Sequence, residues 1–331
     1  MHSKYITRVI DNKDHALYLL DLPLDEKGYR FFLTSWLIID RQKRVNLLVD
    51  TGPASTVDIL FDSLKRIGVK KLDAVLLTHV HLDHGGASGH VMQEFPDAYM
   101  VVSSKGTKHL ADPSRLWQGS IATLGEEKAL SYGKMIPVGP DRINVFPVTQ
   151  DLPLEIIKTP GHASHHISFI YGPFLFPGEA AGAQIPFMRG SERSQKVWTL
   201  EPEGDIPYLR PATPPPFYFD TTLGSIDGLL TGSDPSALLC YAHYGYSEKT
   251  LEMLQSSKKQ LMLWRDIISS YVSGVGLKKE NEIEDIIFRE LLEKDLLLKN
   301  FPRLKEEIQQ REEYFLHNSI RGFLRGLSKE R

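Results

Sequence analysis

The sequence predicts an α/β protein built as a layered sandwich with a helical C-terminal appendage. Three observations carry this. Strand-like and helix-like runs follow in the order strands, helix, strand, many strands, strand, helices, which is less regular than the alternation of a doubly wound sheet. Metal-ligand types of side chain stand where apolar strand runs stop, as they would if several strands ended at one edge. From about residue 247 the apolar spacing changes to three and four residues, the period of a helix.

The first strands are FFLTSWLIID (31–40) and RVNLLVD (44–50), joined by DRQKR as a hairpin. The second runs into DTG, a turn at Asp50, Thr51 and Gly52. Residues 57–67, VDILFDSLKRI, carry apolar residues at helical spacing. LDAVLLT (72–78) reads as a buried strand and AYMVVS (98–103) as another, with 104–135 helical or mixed. INVFPV, LEIIKT, ISFIY and FLFPG then give short strands separated by turns. Residues 186–216, rich in Pro and charge and ending in PATPPP, predict an irregular excursion. SALLCYAH (236–243) reads as the last strand. Beyond it, Leu251, Leu254, Leu261, Trp264, Ile267, Ile268 and Tyr271 mark one helix, and Ile283, Ile286, Ile287, Leu291 and Leu292 another. The expected domains are 1–247 and a helical extension, 248–331.

Composition narrows the partners. The 331 residues carry a net charge of −3, with no Lys/Arg-dense block interleaved with aromatics, so nucleic acid is not expected. Apolar runs are too short to span a bilayer, and the first ten residues lack the apolar core of a signal peptide. A single cysteine, Cys240, rules out an internal disulfide and fits a reducing cytoplasm. It also leaves any metal to histidine and carboxylate.

The densest chemistry is LLTHVHLDHGG (76–86), which sets His79, His81, Asp83 and His84 within six positions at the end of a strand. A turn there lets several imidazoles aim at one point, and zinc takes both histidine nitrogen and carboxylate oxygen. Six residues cannot surround an ion alone. Further candidates follow later strands: His162 in TPGHASHH, Glu179 in FLFPGEAAG and His243 in LLCYAHYG.

THVHLDHGG resembles the T-H-x-H-x-D-H signature of the metallo-β-lactamase superfamily, and VDTG, TPGH, PGE-A and AHYG follow in that family's order. The resemblance runs from about residue 30 to 245. It is nearest to glyoxalase II-type thioester hydrolases and to archaeal and bacterial metallo-hydrolases, with which DPSRLW, GHASHHISF and RPATPPPF also look shared. It implies a four-layer αββα sandwich and two divalent ions, zinc first, iron or manganese as alternatives. His79, His81 and His162 would hold one metal, and Asp83, His84 and His243 the other. Glu179 stands where the family's bridging Asp stands, the one departure. Asp50 matches a buried Asp that accepts from a ligating imidazole, and His166 has a supporting position. Asp83 doubles as ligand and proton acceptor. The implied reaction is attack of a metal-bridging hydroxide on an activated acyl bond of a small molecule: thioester, lactone or other ester. A mononuclear iron oxygenase of the persulfide dioxygenase type is the rival reading. Di-iron relatives carry Glu where His81 stands, together with a flavodoxin domain for which this chain has no room.

The remaining candidates have plainer expectations. At most one of His165 and His166 is expected to face the metal alongside His162, and His90 and His109 read as ordinary. Tyr208, Tyr218 and Tyr244 read as packing aromatics. The excursion is expected to wall the substrate pocket, with Arg210 contacting a substrate carboxylate. The helical tail is open to three readings: a homodimer surface, a substrate wall, or packing.

Overall fold

The computed structural model describes residues 4–145, 152–185, 208–272 and 280–328. They form two compact units: residues 1–156 with 242–244, and 157–241 with 245–331. The change in character at 247 coincides with the start of a long helix, whereas the compact units divide the chain elsewhere.

The first unit is a seven-stranded sheet in chain order: β1 (Ile6–Asp11), β2 (His15–Asp21), β3 (Thr34–Asp40), β4 (Val45–Val49), β5 (Ala74–Leu76), β6 (Tyr99–Val102) and β7 (Ile143–Val145). β1 to β4 are antiparallel, and β4 to β7 run parallel. Between them come α1 (Val57–Ile67), α2 (Leu82–Gly85), α3 (Ser88–Glu94), α4 (Thr107–Ala111), α5 (Ser114–Leu124) and α6 (Glu126–Ser131). The central parallel strands β5 and β6 are continuous apolar runs because both faces are covered; every residue of β5 is buried. The hairpin over 40–44 and the helix over 57–67 match their sequence expectations. The hairpin β1–β2 was not anticipated: β1 is a half-exposed edge without a clean alternation. The expected strand over 143–148 is described only to Val145.

The second unit has a five-stranded sheet ordered β14-β13-β10-β9-β8. Its strands are β8 (Leu154–Lys158), whose first residues belong to the first unit, β9 (Ile167–Tyr171), β10 (Phe174–Phe176), β13 (Leu238–Cys240) and β14 (Tyr246–Ser247). A two-stranded ribbon pairs β11 (Ala183–Ile185) with β12 (Tyr208–Arg210). The helices are α7 (Phe219–Gly232), α8 (Thr250–Val272), α9 (Glu280–Lys294) and α10 (Glu306–Leu327). Leu175, Leu209, Leu229, Leu239 and Leu254 join β10, β12, α7, β13 and α8 in one core. Residues 186–207 of the expected excursion lie outside the described residues, and β12 was not foreseen within its end. Among the described residues no helix is long and apolar enough to cross a membrane.

Arg210 corrects one expectation. It is fully buried, and its Nε donates to Glu312 Oε2 at 2.7 Å, while Arg311 Nε donates to Glu312 Oε1 at 2.9 Å. A buried guanidinium needs a carboxylate, and here α10 supplies it instead of a substrate. Burial by itself would push the Glu312 carboxyl up, but the two guanidiniums outweigh it and hold the carboxyl below its ordinary value of 4.5. A depressed folded pKa stabilises above the unfolded value and is lost as pH falls through the folded one. Glu312→Gln should therefore destabilise by about 3–5 kcal/mol at neutral pH. In urea unfolding, the gap to the parent should narrow as pH falls below 4.5.

Candidate metal centre

The first unit assembles its donors on the loop between β5 and α2. β5 ends at Leu76, and His81 caps α2 with its carbonyl accepting from the backbone of His84 and Gly85. The His79 ring lies 4.7 Å from that of His81 and 4.2 Å from that of His84. The loop is clamped by the turn after β4. Thr51 and Gly52 both donate backbone N–H to the His84 carbonyl, at 2.7 and 3.0 Å. Gly86 makes the clamp possible: a Cβ there would stand 2.2 Å from the Leu82 carbonyl and 2.9 Å from Ala54 N.

Asp50, in the left-handed region at φ 56°, places its carboxylate beneath this loop. It accepts from Thr78 N at 2.8 Å, from Thr78 Oγ1 at 3.0 and 2.9 Å, and from His84 Nδ1 at 3.1 Å. A carboxylate only accepts, so His84 carries its proton on Nδ1. The Thr78 hydroxyl spends its proton on Asp50 and therefore accepts from His79 Nδ1, 3.0 Å away. Both histidines are fixed with Nε2 as a lone pair. His84 Nε2 stands 3.4 Å from Asp83 Oδ2.

His243 joins this unit through residues 242–244. Leu33 and His243 form an antiparallel bridge, Tyr244 N donates to Phe32 O at 2.9 Å, and Thr34 Oγ1 donates to Ala242 O at 2.8 Å. The His243 ring stacks on Phe32 at 4.4 Å. Donor atoms of Asp83, His84 and His243 lie within 4.8 Å of one another, as do those of His79 and His81. Tyr244 is buried and packs edge-on to Phe31.

The second unit holds His162 and Glu179, with His162 Nε2 2.8 Å from Glu179 Oε2. His162 Nδ1 faces the Ala212 carbonyl at 3.0 Å, and since a carbonyl cannot donate, the proton is on Nδ1. The loop before His162 is pinned by α7, whose Ser225 Oγ donates to Pro160 O at 2.6 Å. Glu179 is set from behind by His166. The Glu179 backbone N–H donates to His166 Nε2 at 3.0 Å, so His166 Nδ1 bears the proton. That proton points to Thr159 Oγ1 (2.8 Å), Thr159 to Ser168 Oγ (2.8 Å), and Ser168 donates to Pro177 O (3.0 Å). Every proton of this relay has one direction, and its last acceptor is two residues before Glu179.

In both units a ring lone pair therefore meets a carboxylate oxygen: His84 with Asp83, and His162 with Glu179. Two acceptors face each other comfortably only with a cation between them, a proton or a metal. The donor set thus fits divalent ions bound by nitrogen and carboxylate oxygen. Burial pushes the Cys240 thiol well up, which keeps it from serving as a thiolate ligand. Burial and the nearby Glu312 also push the Tyr208 phenol well up, and Tyr218 is exposed. His90 on α3, His109 on α4 and His165 are outside the donor groups. Sequence reasoning missed Thr78, Thr159, Ser168 and the Ala212 carbonyl. Thr78 and Thr159 stood in the quoted motifs, directly before the ligand segments.

The chain belongs to the metallo-β-lactamase superfamily, whose description matches residues 29–243. It is 31% identical over 183 residues to a probable metallo-hydrolase of Methanocaldococcus jannaschii, covering 55% of this chain and 79% of that protein. It is 29% identical to a metallo-beta-lactamase fold-containing protein of Sulfurisphaera tokodaii (43% and 54% covered). A hydroxyacylglutathione hydrolase of Psychromonas ingrahamii is 30% identical (44% and 45% covered). The chain thus spans only about half the length of these last two. Among solved structures, an archaeal metallo-beta-lactamase superfamily protein from Sulfolobus tokodaii superposes with TM-score 0.61 at 19% identity, covering 95% of this chain and 98% of that one. A metallo-beta-lactamase family protein from Thermus thermophilus gives 0.57 at 19% identity, covering 95% and 93%. The fold class expected from the sequence, the metallo-β-lactamase sandwich with helices after residue 248, is the fold of this chain.

Asp50 holds His84 directly and His79 through Thr78, so the two can be separated by mutation. Asp50→Ala, which frees both His79 and His84, should weaken metal binding about 10- to 100-fold, whereas Thr78→Val, which frees His79 alone, should weaken it less. Competition with a chelator reads both.

Proposed function

We propose that the protein is a binuclear metal-dependent hydrolase of activated acyl bonds, with thioesters first and lactones and other esters next. The observation that carries this reading is the pair of acceptor-to-acceptor contacts, each with the far ring nitrogen already committed. In this reading His79, His81 and His162 would hold one ion and Asp83, His84 and His243 the other, with Glu179 standing where the family's bridging Asp stands. Family membership supports the combination, since the match runs through all seven positions. The relatives named hydroxyacylglutathione hydrolase put thioesters at the head of the substrate classes.

Bound there, divalent ions supply Lewis acidity toward a carbonyl and a hydroxide source near neutral pH. The chain's own residues do the rest. Asp50 and Thr78 keep the His79 and His84 lone pairs pointed forward. The Ala212 carbonyl does the same for His162. Asp83, less buried than the adjacent His84, is the carboxylate placed to take a proton from water and pass it to the leaving group. Zinc suits these donors, with iron or manganese as alternatives. The same reading carries a small-molecule substrate, no nucleic-acid partner, a cytoplasmic setting and a homodimer. It draws these from the charge balance, the single cysteine and the helical tail.

Glu179 replaces the family's Asp and is longer by one carbon–carbon bond, about 1.5 Å. Metal–oxygen distances tolerate about 0.2 Å, so the backbone has to compensate. Gly178 at φ 59°, with Ala180 and Ala181 small beside Glu179, gives the chain room to sit back. Metal counted per chain should be two in the parent and in Glu179→Asp, and at least one lower in Glu179→Ala. His79→Ala with His81→Ala should strip metal and hydrolytic activity together in a screen of thioesters, lactones and phosphodiesters. Full metal content in that double variant would end the assignment.

A further inference from the structure

The structure assigns the C-terminal helix α10 a positioning role for His162, an inference that rests on reading His162 as a metal ligand. The link between them is the segment RPATPPPF, residues 210–217. Ala212 within it offers the carbonyl that takes the His162 Nδ1 proton. Its prolines have no N–H to give a strand ladder, and β12 has already ended at Arg210. The place of the Ala212 carbonyl is therefore set by whatever the segment lies on.

It lies on α10. Glu312 holds Arg210, immediately before the segment turns. One residue on, Ser319 Oγ donates to the Pro211 carbonyl at 2.9 Å. Past Ala212, Thr213 N donates to Ser319 Oγ and Thr213 Oγ1 to the Ser319 carbonyl, both at 3.4 Å. Ala212 is thus flanked on both sides by residues bonded to one serine. Two glycines bring the backbone this close. A Cβ on Gly322 would stand 1.8 Å from the Thr213 carbonyl oxygen, and one on Gly326 would stand 2.6 Å from that of Phe217. Phe323 closes the contact against Phe217 with ring centroids 4.5 Å apart. Glu312, Ser319, Gly322 and Gly326 recur at steps of seven, three and four, one stripe down the helix.

Glycine inside a helix is unfavourable relative to alanine, and α10 carries two of them on the stripe that meets this segment. Ordinary helix packing needs apolar side chains. This stripe instead has a serine and two glycines set against the backbone of the segment, and a glutamate paired with the Arg210 guanidinium. Its effect is to hold one carbonyl against the Nδ1–H of His162. If the Ala212 carbonyl moves, the ring loses the acceptor that fixes its tautomer, and Nε2 becomes a poorer ligand.

The test uses the full chain, stripped with a chelator and reloaded with Co2+. Affinity is read by chelator competition and ligand geometry by the visible absorption of the bound cobalt. Four variants are compared: Ser319→Ala, Ser319→Thr, Gly322→Ala and, as a stability control, Ile287→Val, buried in α9. Ser319→Ala should lower affinity at one of two sites about tenfold and shift the cobalt bands. Ser319→Thr, which keeps the hydroxyl, should restore both. Gly322→Ala should act in the same direction and more strongly; if it does not fold, Ser319→Ala decides alone. Ile287→Val should lower the Tm and leave affinity and spectrum unchanged. If Ser319→Ala lowers the Tm as the control does while affinity and spectrum stay at parent values, α10 only packs and the inference is overturned. His162→Ala separates the underlying reading: loss of one Co2+ upholds it, and retention of both removes the ligand assignment and this inference with it.

Discussion

The Asp50 carboxylate is the constraint on which the rest of the metal-binding loop depends. It has acceptors only, and it receives two donations from Thr78 and one from the His84 ring. Each contact removes a choice elsewhere. The hydroxyl of Thr78 can point only one way, and that decides the tautomer of His79. The Nδ1 of His84 is decided directly. The turn that follows Asp50 grips the His84 backbone with two N–H groups, so the ring and the main chain of one histidine are held by three consecutive residues. The left-handed backbone of Asp50, which asparagine and aspartate tolerate best among non-glycine residues, is what points the carboxylate under the loop.

The second unit reaches the same end by different means. Behind His162 a backbone carbonyl does the work that a carboxylate does behind His84. Glu179 is oriented through its own amide by a neutral His166, whose proton is the first in a chain of one-way hydrogen bonds ending on Pro177. A neutral, hydrogen-bond-saturated relay of this kind gives a longer carboxylate a fixed root. That is one physical reason a glutamate is accommodated at a position where the shorter acid is usual.

Much of this was legible in the sequence, and the exceptions have physical causes. The ligand candidates were visible because histidine and carboxylate were concentrated where apolar runs ended, and the buried strands because both-face burial leaves unbroken apolar letters. The β1–β2 hairpin escaped because an edge strand tolerates polar residues on either face. The helix α7 escaped because Gly224, Gly228 and Gly232 and its threonines are poor helix formers, held there by packing on α8. Arg210 looked like a substrate contact because its partner, Glu312, lies 102 residues away and on a helix whose period gives no hint of the pairing. The Ala212 carbonyl could not be read at all, since a backbone acceptor has no letter of its own; only the proline-rich composition around it marked the segment as unusual.

The brief visit of residues 242–244 to the first unit sets the order in which the chain can mature. Phe32, Leu33 and Thr34 wait for partners that lie some two hundred residues further along, and so does the His84 ring for that of His243. A growing chain that has emerged as far as residue 156 holds all seven strands of its first sheet but not its last histidine. Neither unit is a contiguous stretch that could be cut out and swapped for a homologous one. The histidine at 243 and the strands it joins therefore form one unit only in a chain that carries both ends of this arrangement.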